Sequence, residues 1–193
     1  MKENPEAVVV HIGCGMDSRI ERIGSNHHNW YDIDFPEVIW ERKKYYGETE
    51  QYHMIETDVR KIDWINNLPS NKRAIVIMEG ISMYLHINEL RRLLAALNQH
   101  FINVSILMDC YTEFAARASK YRNPINEVGV NMVYGIDYPG DLEQGTKIHY
   151  TREFDMTPQE MINELNVYER LFFKTILAGK ISRKMYRVYE FEG

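Results

Sequence analysis

Through its first two thirds the chain switches regularly between short apolar runs and longer amphipathic stretches. "AVVVHIG" (7–13) sets Val8, Val9 and Val10 side by side with no polar residue between them, the pattern of a strand buried on both faces. "NWYDID" (29–34), "YHMIETDV" (52–59), "RAIVIMEG" (73–80), apolar throughout its middle, and "VSILMDCY" (104–111) read as further strands. Between them the period lengthens. "FPEVIWERKKYY" (35–46) opens on Pro36, tolerated in a first helical turn, and stops before Gly47, a usual residue just past a helix end. "INELRRLLAALNQHF" (87–101) places Leu90, Leu93, Leu94, Leu97 and Phe101 on one stripe of a helix, and "EFAARASKY" (113–121) predicts another. Repeated strand–helix units predict an α/β fold with a mainly parallel sheet and helices on both faces.

The last third breaks the rhythm. "NPINEVGVNMVYGIDYPGDLEQG" (123–145) is rich in Gly, Pro and Asn and reads as a long loop near the functional edge of the sheet. "TKIHYTREF" (146–154) alternates as a strand, "TPQEMINELN" (157–166) begins with Thr157, Pro158 and Glu160 in a capping arrangement, and "KMYRVYEFE" (184–192) closes as a strand. The expected sheet has seven strands with antiparallel pairing at the end of the chain. No internal repeat or linker interrupts it, so 1–193 is expected to form one domain.

Composition narrows the function classes. Twenty-three Lys and Arg stand against 28 Asp and Glu for a net charge of −5, and no dense basic run carries interleaved aromatics, which argues against a nucleic-acid partner. No apolar stretch approaches the roughly 20 residues of a membrane span, and "MKENPEA" has no apolar leader segment, so no membrane is expected and the cytoplasm is the expected compartment. Cys14 and Cys110 are too few for a disulfide framework and are read as small buried residues. His11, His53 and His86 lack metal-ligand spacing, and His27 and His28 sit in a polar turn, so no metal is assigned. His11 reads as a buried, hydrogen-bonded imidazole.

The candidate chemistry lies in "HIGCGMDSR" (11–19). A Gly-x-Gly turn at the carboxyl end of a first strand lets a ligand approach bare backbone, the edge at which open α/β sheets bind ligands. Two glycines alone are also an ordinary tight connection. The next strand ends in Asp32 and Asp34, and Asp34 lies 21 residues beyond Gly13, near the roughly 20-residue offset at which an acid reaches a ribose hydroxyl pair. Ser18 stands where a dinucleotide fingerprint has its third glycine, and Asp17 beside it would repel a pyrophosphate. A ligand with a ribose, no phosphate and positive charge suits these acids better. S-adenosylmethionine, with a sulfonium and an ammonium, fits that description.

Four motifs in order also carry a family resemblance. "VVVHIGCGMDSR", "WYDIDFPEVIWERK", "ETDVRKIDWI" and "IVIMEGISMYL" resemble the successive motifs of the leucine carboxyl methyltransferase family, which includes bacterial small-molecule O-methyltransferases, strongly over about residues 7–112 and weakly beyond. The resemblance implies a Rossmann-like class I methyltransferase fold, a seven-stranded mostly parallel sheet with one antiparallel strand. It implies methyl transfer from S-adenosylmethionine to an oxygen. Carried onto this chain, Gly13 and Gly15 would pass the methionyl part of the cofactor and Asp34 would bind the ribose hydroxyls. Asp58 would accept from the adenine amino group, with the Val59 amide at the ring, and Glu79 would lie near the ammonium. Arg19 would pair with Asp17 or the cofactor carboxylate. Met83 and Tyr84 would line the mouth of the acceptor pocket, or else belong to the core. Asp58 and Asp109 could equally be ordinary strand-end acids or helix caps, whereas Glu79, after four apolar residues of a central strand, reads as an acid in need of a partner.

One departure bears on the acceptor. Family members carry a helical lid before the first strand, and only about six residues precede it here. Three outcomes follow: the 122–145 loop covers the site, a second copy or partner chain completes it, or the chain binds cofactor without turnover. Three readings therefore stand: an O-methyltransferase acting on a carboxylate or hydroxyl of a small molecule, a non-catalytic cofactor-binding module that needs a partner, and a nicotinamide oxidoreductase, which Asp17 and Ser18 disfavour. A carboxylate acceptor needs no general base. A hydroxyl acceptor needs one, and the sequence identifies none.

Overall fold

The computed structural model describes residues 6–23, 29–119, 132–155, 157, 159–173 and 184–193. The apolar runs are the strands expected: β1 (Val8–Ile12), β2 (Trp30–Asp34), β3 (Tyr52–Glu56), β4 (Arg73–Met78), β5 (Asn103–Tyr111), β6 (His149–Phe154) and β7 (Tyr186–Glu192). They form one seven-stranded sheet in the order β3-β2-β1-β4-β5-β7-β6. β1 through β5 pair in parallel, and β7 enters antiparallel between β5 and β6. A single reversed strand thus accounts for both antiparallel pairings.

All five residues of β1 are buried, as a strand covered on both faces requires. On one face Val8, Val10 and Ile12 pack with Ile33, Val76 and the leucine stripe of α3 (Ile87–His100), whose Leu90, Leu93, Leu94 and Leu97 are all at most 1% exposed. His86 caps that helix: its ring accepts from Asn88 while Glu89 returns a bond to the His86 amide. On the other face Val9, Trp30, Tyr52 and Met54 pack against Ile20 of α1 (Arg19–Ile23) and Ile39 of α2 (Pro36–Arg42). α2 starts at Pro36 as expected but ends at Arg42, a turn short of Gly47. β4 is less enclosed than its sequence predicts, since Ile75 and Ile77 are only half-buried.

α4 (Glu113–Ser119) follows β5, and Lys120 and Tyr121 of the expected helix lie outside the described residues, as do His27, His28 and residues 122–131 of the long loop. The described part of that loop runs along the carboxyl ends of β4 and β5. Tyr134 donates its amide to the Met83 carbonyl at 2.8 Å, Ile136 to that of Tyr111 at 2.8 Å, and Gly135 lies so close to Thr112 that a Cβ would overlap its backbone. Past β6, α5 (Gln159–Glu164) and α6 (Val167–Phe172) lead towards β7. The capping arrangement expected at Thr157 includes Pro158, outside the described residues. Among the described residues no helix is long and apolar enough to cross a membrane.

Candidate active site

The Gly-x-Gly turn leaves β1 where the sheet order reverses, with β2 on one side and β4 on the other, the crevice in which open α/β sheets bind ligands. Gly13 and Gly15 both hold positive φ, +72° and +50°, which only glycine adopts without strain. Their surroundings differ. A Cβ on Gly13 would lie 3.0 Å from Cβ of Ile81, whereas one on Gly15 would meet nothing within 4 Å. The first glycine serves packing and the second leaves open space beside bare backbone.

The turn is held by β2. Gly13 donates its amide to the Ile33 carbonyl at 2.8 Å, and Gly15 donates to Asp34 Oδ2 at 2.8 Å. Asp34 Oδ1 accepts from the Phe35 amide at 2.8 Å, so each carboxylate oxygen has one backbone donor and lone-pair capacity left for a hydroxyl. Asp32 turns the other way, into the core. Its Oδ1 accepts from Trp30 Nε1 at 2.8 Å and His11 Nδ1 at 3.1 Å, and its Oδ2 from Tyr52 Oη at 2.6 Å and from Arg42 Nε and Nη2 at 2.9 and 2.5 Å. Burial alone would raise the Asp32 carboxyl, but the bonds from His11, Tyr52 and Trp30 and the Arg42 charge hold it below its ordinary range. Arg42 is fully buried and reaches with Nη1 to the Gly15 carbonyl at 3.0 Å. The buried ion pair thus fixes the glycine turn from beneath.

His11 is buried and hydrogen-bonded as expected. Its Nδ1 lies 3.1 Å from Asp32 Oδ1, a carboxylate oxygen that only accepts, and its Nε2 lies 3.4 Å from Arg19 Nη1, which only donates. Cys14 and Cys110 are buried free thiols, and burial pushes that of Cys110 up to about 12.

The remaining expected residues are brought to the same edge. Arg19 pairs with Glu79 at 2.5 Å and Asp17 at 3.2 Å. Glu79 is not the buried acid its position suggests: the strand ends at Met78, and the Glu79 side chain is 60% exposed with Arg19 as its partner. Asp58, past β3, is clamped by Arg60, whose Nε and Nη2 reach its two oxygens at 2.8 and 2.5 Å, and that hydrogen bonding lowers its carboxyl. Val59 is buried beneath it. Met83 and Tyr84 stand farther along, packed with Ala116, Val133, Tyr111 and Tyr186, between the glycine turn's neighbour strand and the 132–145 segment. Asp109 is buried near the end of β5, accepting from the Gly80 amide at 2.9 and 2.7 Å and from the Tyr186 hydroxyl. Sequence reading gave Arg42, Arg60 and Tyr186 no role, because a cation in a charged helix or loop and an aromatic in a closing strand look like solvated face and core.

The model of the leucine carboxyl methyltransferase family matches residues 4–98. The chain is 33% identical over 141 residues to the tetracenomycin polyketide synthesis O-methyltransferase TcmP of Streptomyces glaucescens, covering 72% of this chain and 52% of that protein. It is 27% identical over 198 residues to the S-adenosyl-L-methionine-dependent methyltransferase dpfgK of Gibberella zeae, covering 95% and 64%. The chain therefore spans between half and two thirds of the length of these relatives. Among solved structures, N-methyltransferase NodS from Bradyrhizobium japonicum in complex with S-adenosyl-l-homocysteine matches with a TM-score of 0.62 at 10% identity, over 97% of this chain and 78% of that one. Magnesium protoporphyrin IX methyltransferase from Synechocystis matches at 0.56 and 11% identity, over 99% and 76%. At such identities these structures share the fold.

Proposed function

We propose that the chain, whose residues 4–98 match the model of the leucine carboxyl methyltransferase family, is an S-adenosylmethionine-dependent O-methyltransferase of small molecules. The observation that carries this reading is the open Gly15 turn facing Asp34, at the switch point of the sheet. The residues fit the cofactor. Space lies over Gly15, Asp34 keeps acceptor capacity for two ribose hydroxyls, and Arg19 with Glu79 offers opposite charges to an amino-acid tail.

In this reading Gly13 and Gly15 line the methionyl part, Asp34 holds the ribose, Asp58 and the Val59 amide meet the adenine, Arg19 and Glu79 the tail, and Tyr84 the acceptor side. Bound S-adenosylmethionine supplies a methyl group already activated on a sulfonium. The chain's own task is placement: a turn fixed at both polar atoms and carboxylates already oriented hold the reactants with little reorganisation. Arg60 keeps Asp58 ionised and directed, leaving lone pairs for an amino donor.

Isothermal titration with S-adenosylhomocysteine tests the reading. Micromolar binding is expected, weakened in Asp34→Ala by a factor of ten or more, about 1.4 kcal/mol. Absence of heat with S-adenosylhomocysteine and S-adenosylmethionine alike refutes it.

A further inference from the structure

At the carboxyl edge, β4, β5 and the start of β7 border a half-open cavity of about 410 Å³. Ile77, Leu107 and Val188 give it an apolar floor, and Leu107 is 38% exposed there. Above the floor stand Asp109 and Tyr186. Arg19 and Glu79 line it too, and through them it adjoins the residues proposed to hold the cofactor tail.

The polar groups have a definite sense. Tyr186 has one proton, and it is given to Asp109 Oδ2. Its oxygen is left as an acceptor at the cavity wall. Asp109 is 4% exposed, and among the described residues its side chain accepts from the Gly80 amide and that hydroxyl, against five donor atoms on Asp32. Burial raises the Asp109 carboxyl and the nearby Glu79 charge adds to this, with Tyr186 and Gly80 offsetting part of it. The cation among the described lining residues, Arg19, pairs with Glu79 and Asp17 and is also the group proposed to meet the cofactor tail. A ligand carboxylate entering here would meet Glu79 and Asp109 with no second cation among the described lining residues, whereas a hydroxyl would meet an oxygen that needs a donor.

Resting on the methyltransferase reading, we propose that this cavity is the acceptor site and that it takes an uncharged hydroxyl compound with an apolar body, its O–H donated to Tyr186, in preference to the corresponding carboxylate. Tyr186 is then the catalytic residue and Asp109 acts through it. The acceptor proton passes to Tyr186 Oη as the tyrosine's own proton passes to the Asp109 carboxylate. The acceptor oxygen is left anionic, the tyrosine neutral and Asp109 a neutral acid.

The probes are 2-naphthol and 2-naphthoate, which share an apolar body and differ in the group presented. Each is titrated calorimetrically at pH 7 into the full chain, with and without S-adenosylhomocysteine. The naphthol is expected to bind at least about tenfold more tightly than the naphthoate. Tyr186→Phe, which keeps the ring and removes the oxygen, is expected to abolish that preference while leaving S-adenosylhomocysteine binding unchanged. Equal or tighter naphthoate binding, no binding of either probe, or a preference that survives Tyr186→Phe would overturn the proposal. If S-adenosylhomocysteine binds and the preference is absent, the acceptor proposal falls alone; if S-adenosylhomocysteine does not bind, the methyltransferase reading falls first.

Discussion

Replacing Arg42 by methionine should cost far more stability than its place at the end of a charged helix suggests. The side chain is fully buried and donates to Asp32, Tyr52 and the Gly15 carbonyl, with its guanidinium 4.3 Å from the centre of the Tyr46 ring. Removing one partner of a buried ion pair typically costs about 3–5 kcal/mol, because the other charge is left unpaired. Trp30, His11 and Tyr52 still donate to Asp32, which pulls the expectation to the lower half of that range, while the lost bond to Gly15 adds about 1 kcal/mol. A total near 4 kcal/mol corresponds to a fall of about 2 M in the urea midpoint at a slope of about 2 kcal/mol/M. The pH dependence has a definite sign. In the native protein the Asp32 carboxyl is depressed, so its stabilisation is present above the unfolded value of about 4 and is lost as pH falls through the folded one. Without Arg42 the depression weakens and burial pushes the carboxyl up, so protonation relieves the variant and the gap to wild type narrows in acid. A urea series at pH 7 and pH 4 reads both effects. A loss under about 1 kcal/mol at pH 7, or a gap that widens in acid, would refute the account of the network.

Two further substitutions separate packing from ligand access. Gly13→Ala meets both positive φ and Ile81 at 3.0 Å and should lower the melting temperature, by several degrees for a loss of about 2 kcal/mol. Gly15→Ala carries only the conformational cost, about 1 kcal/mol, yet its methyl enters the open space and should weaken S-adenosylhomocysteine by calorimetry more than Gly13→Ala does. In α3, Leu94→Ala should cost about 2–5 kcal/mol in urea unfolding, the range for a fully buried leucine, with cofactor affinity of the folded fraction unchanged.

The fold was readable because the buried elements repeat their own periods: the valines of β1 and the leucine stripe of α3 name their partners' faces. The place of Asp34 beside the glycine turn was readable as well, since its offset from Gly13 is fixed by the length of one β–turn–α–β passage. The supports were not. Asp32 and Asp34 are two residues apart and so point to the same face of an ideal strand, but Asp34 ends β2 and bends to the Gly15 amide while Asp32 stays in the core. Nothing in "ERKKYY" distinguishes Arg42, at 0% exposed, from the solvated lysines after it, because burial of a cation depends on a carboxylate supplied by another element. Glu79 misled for the converse reason. One residue past a central strand is already outside the sheet, where an acid finds water and Arg19.

Gly15 is tied through its amide to Asp34 and through its carbonyl to Arg42, so an open stretch of the turn is anchored to a fully buried charge. Ligand affinity and folding stability are then written on the same residues. Whatever occupies the turn strengthens the native state by mass action, and sequence drift in the buried pair is restrained twice, once by the fold and once by the ligand.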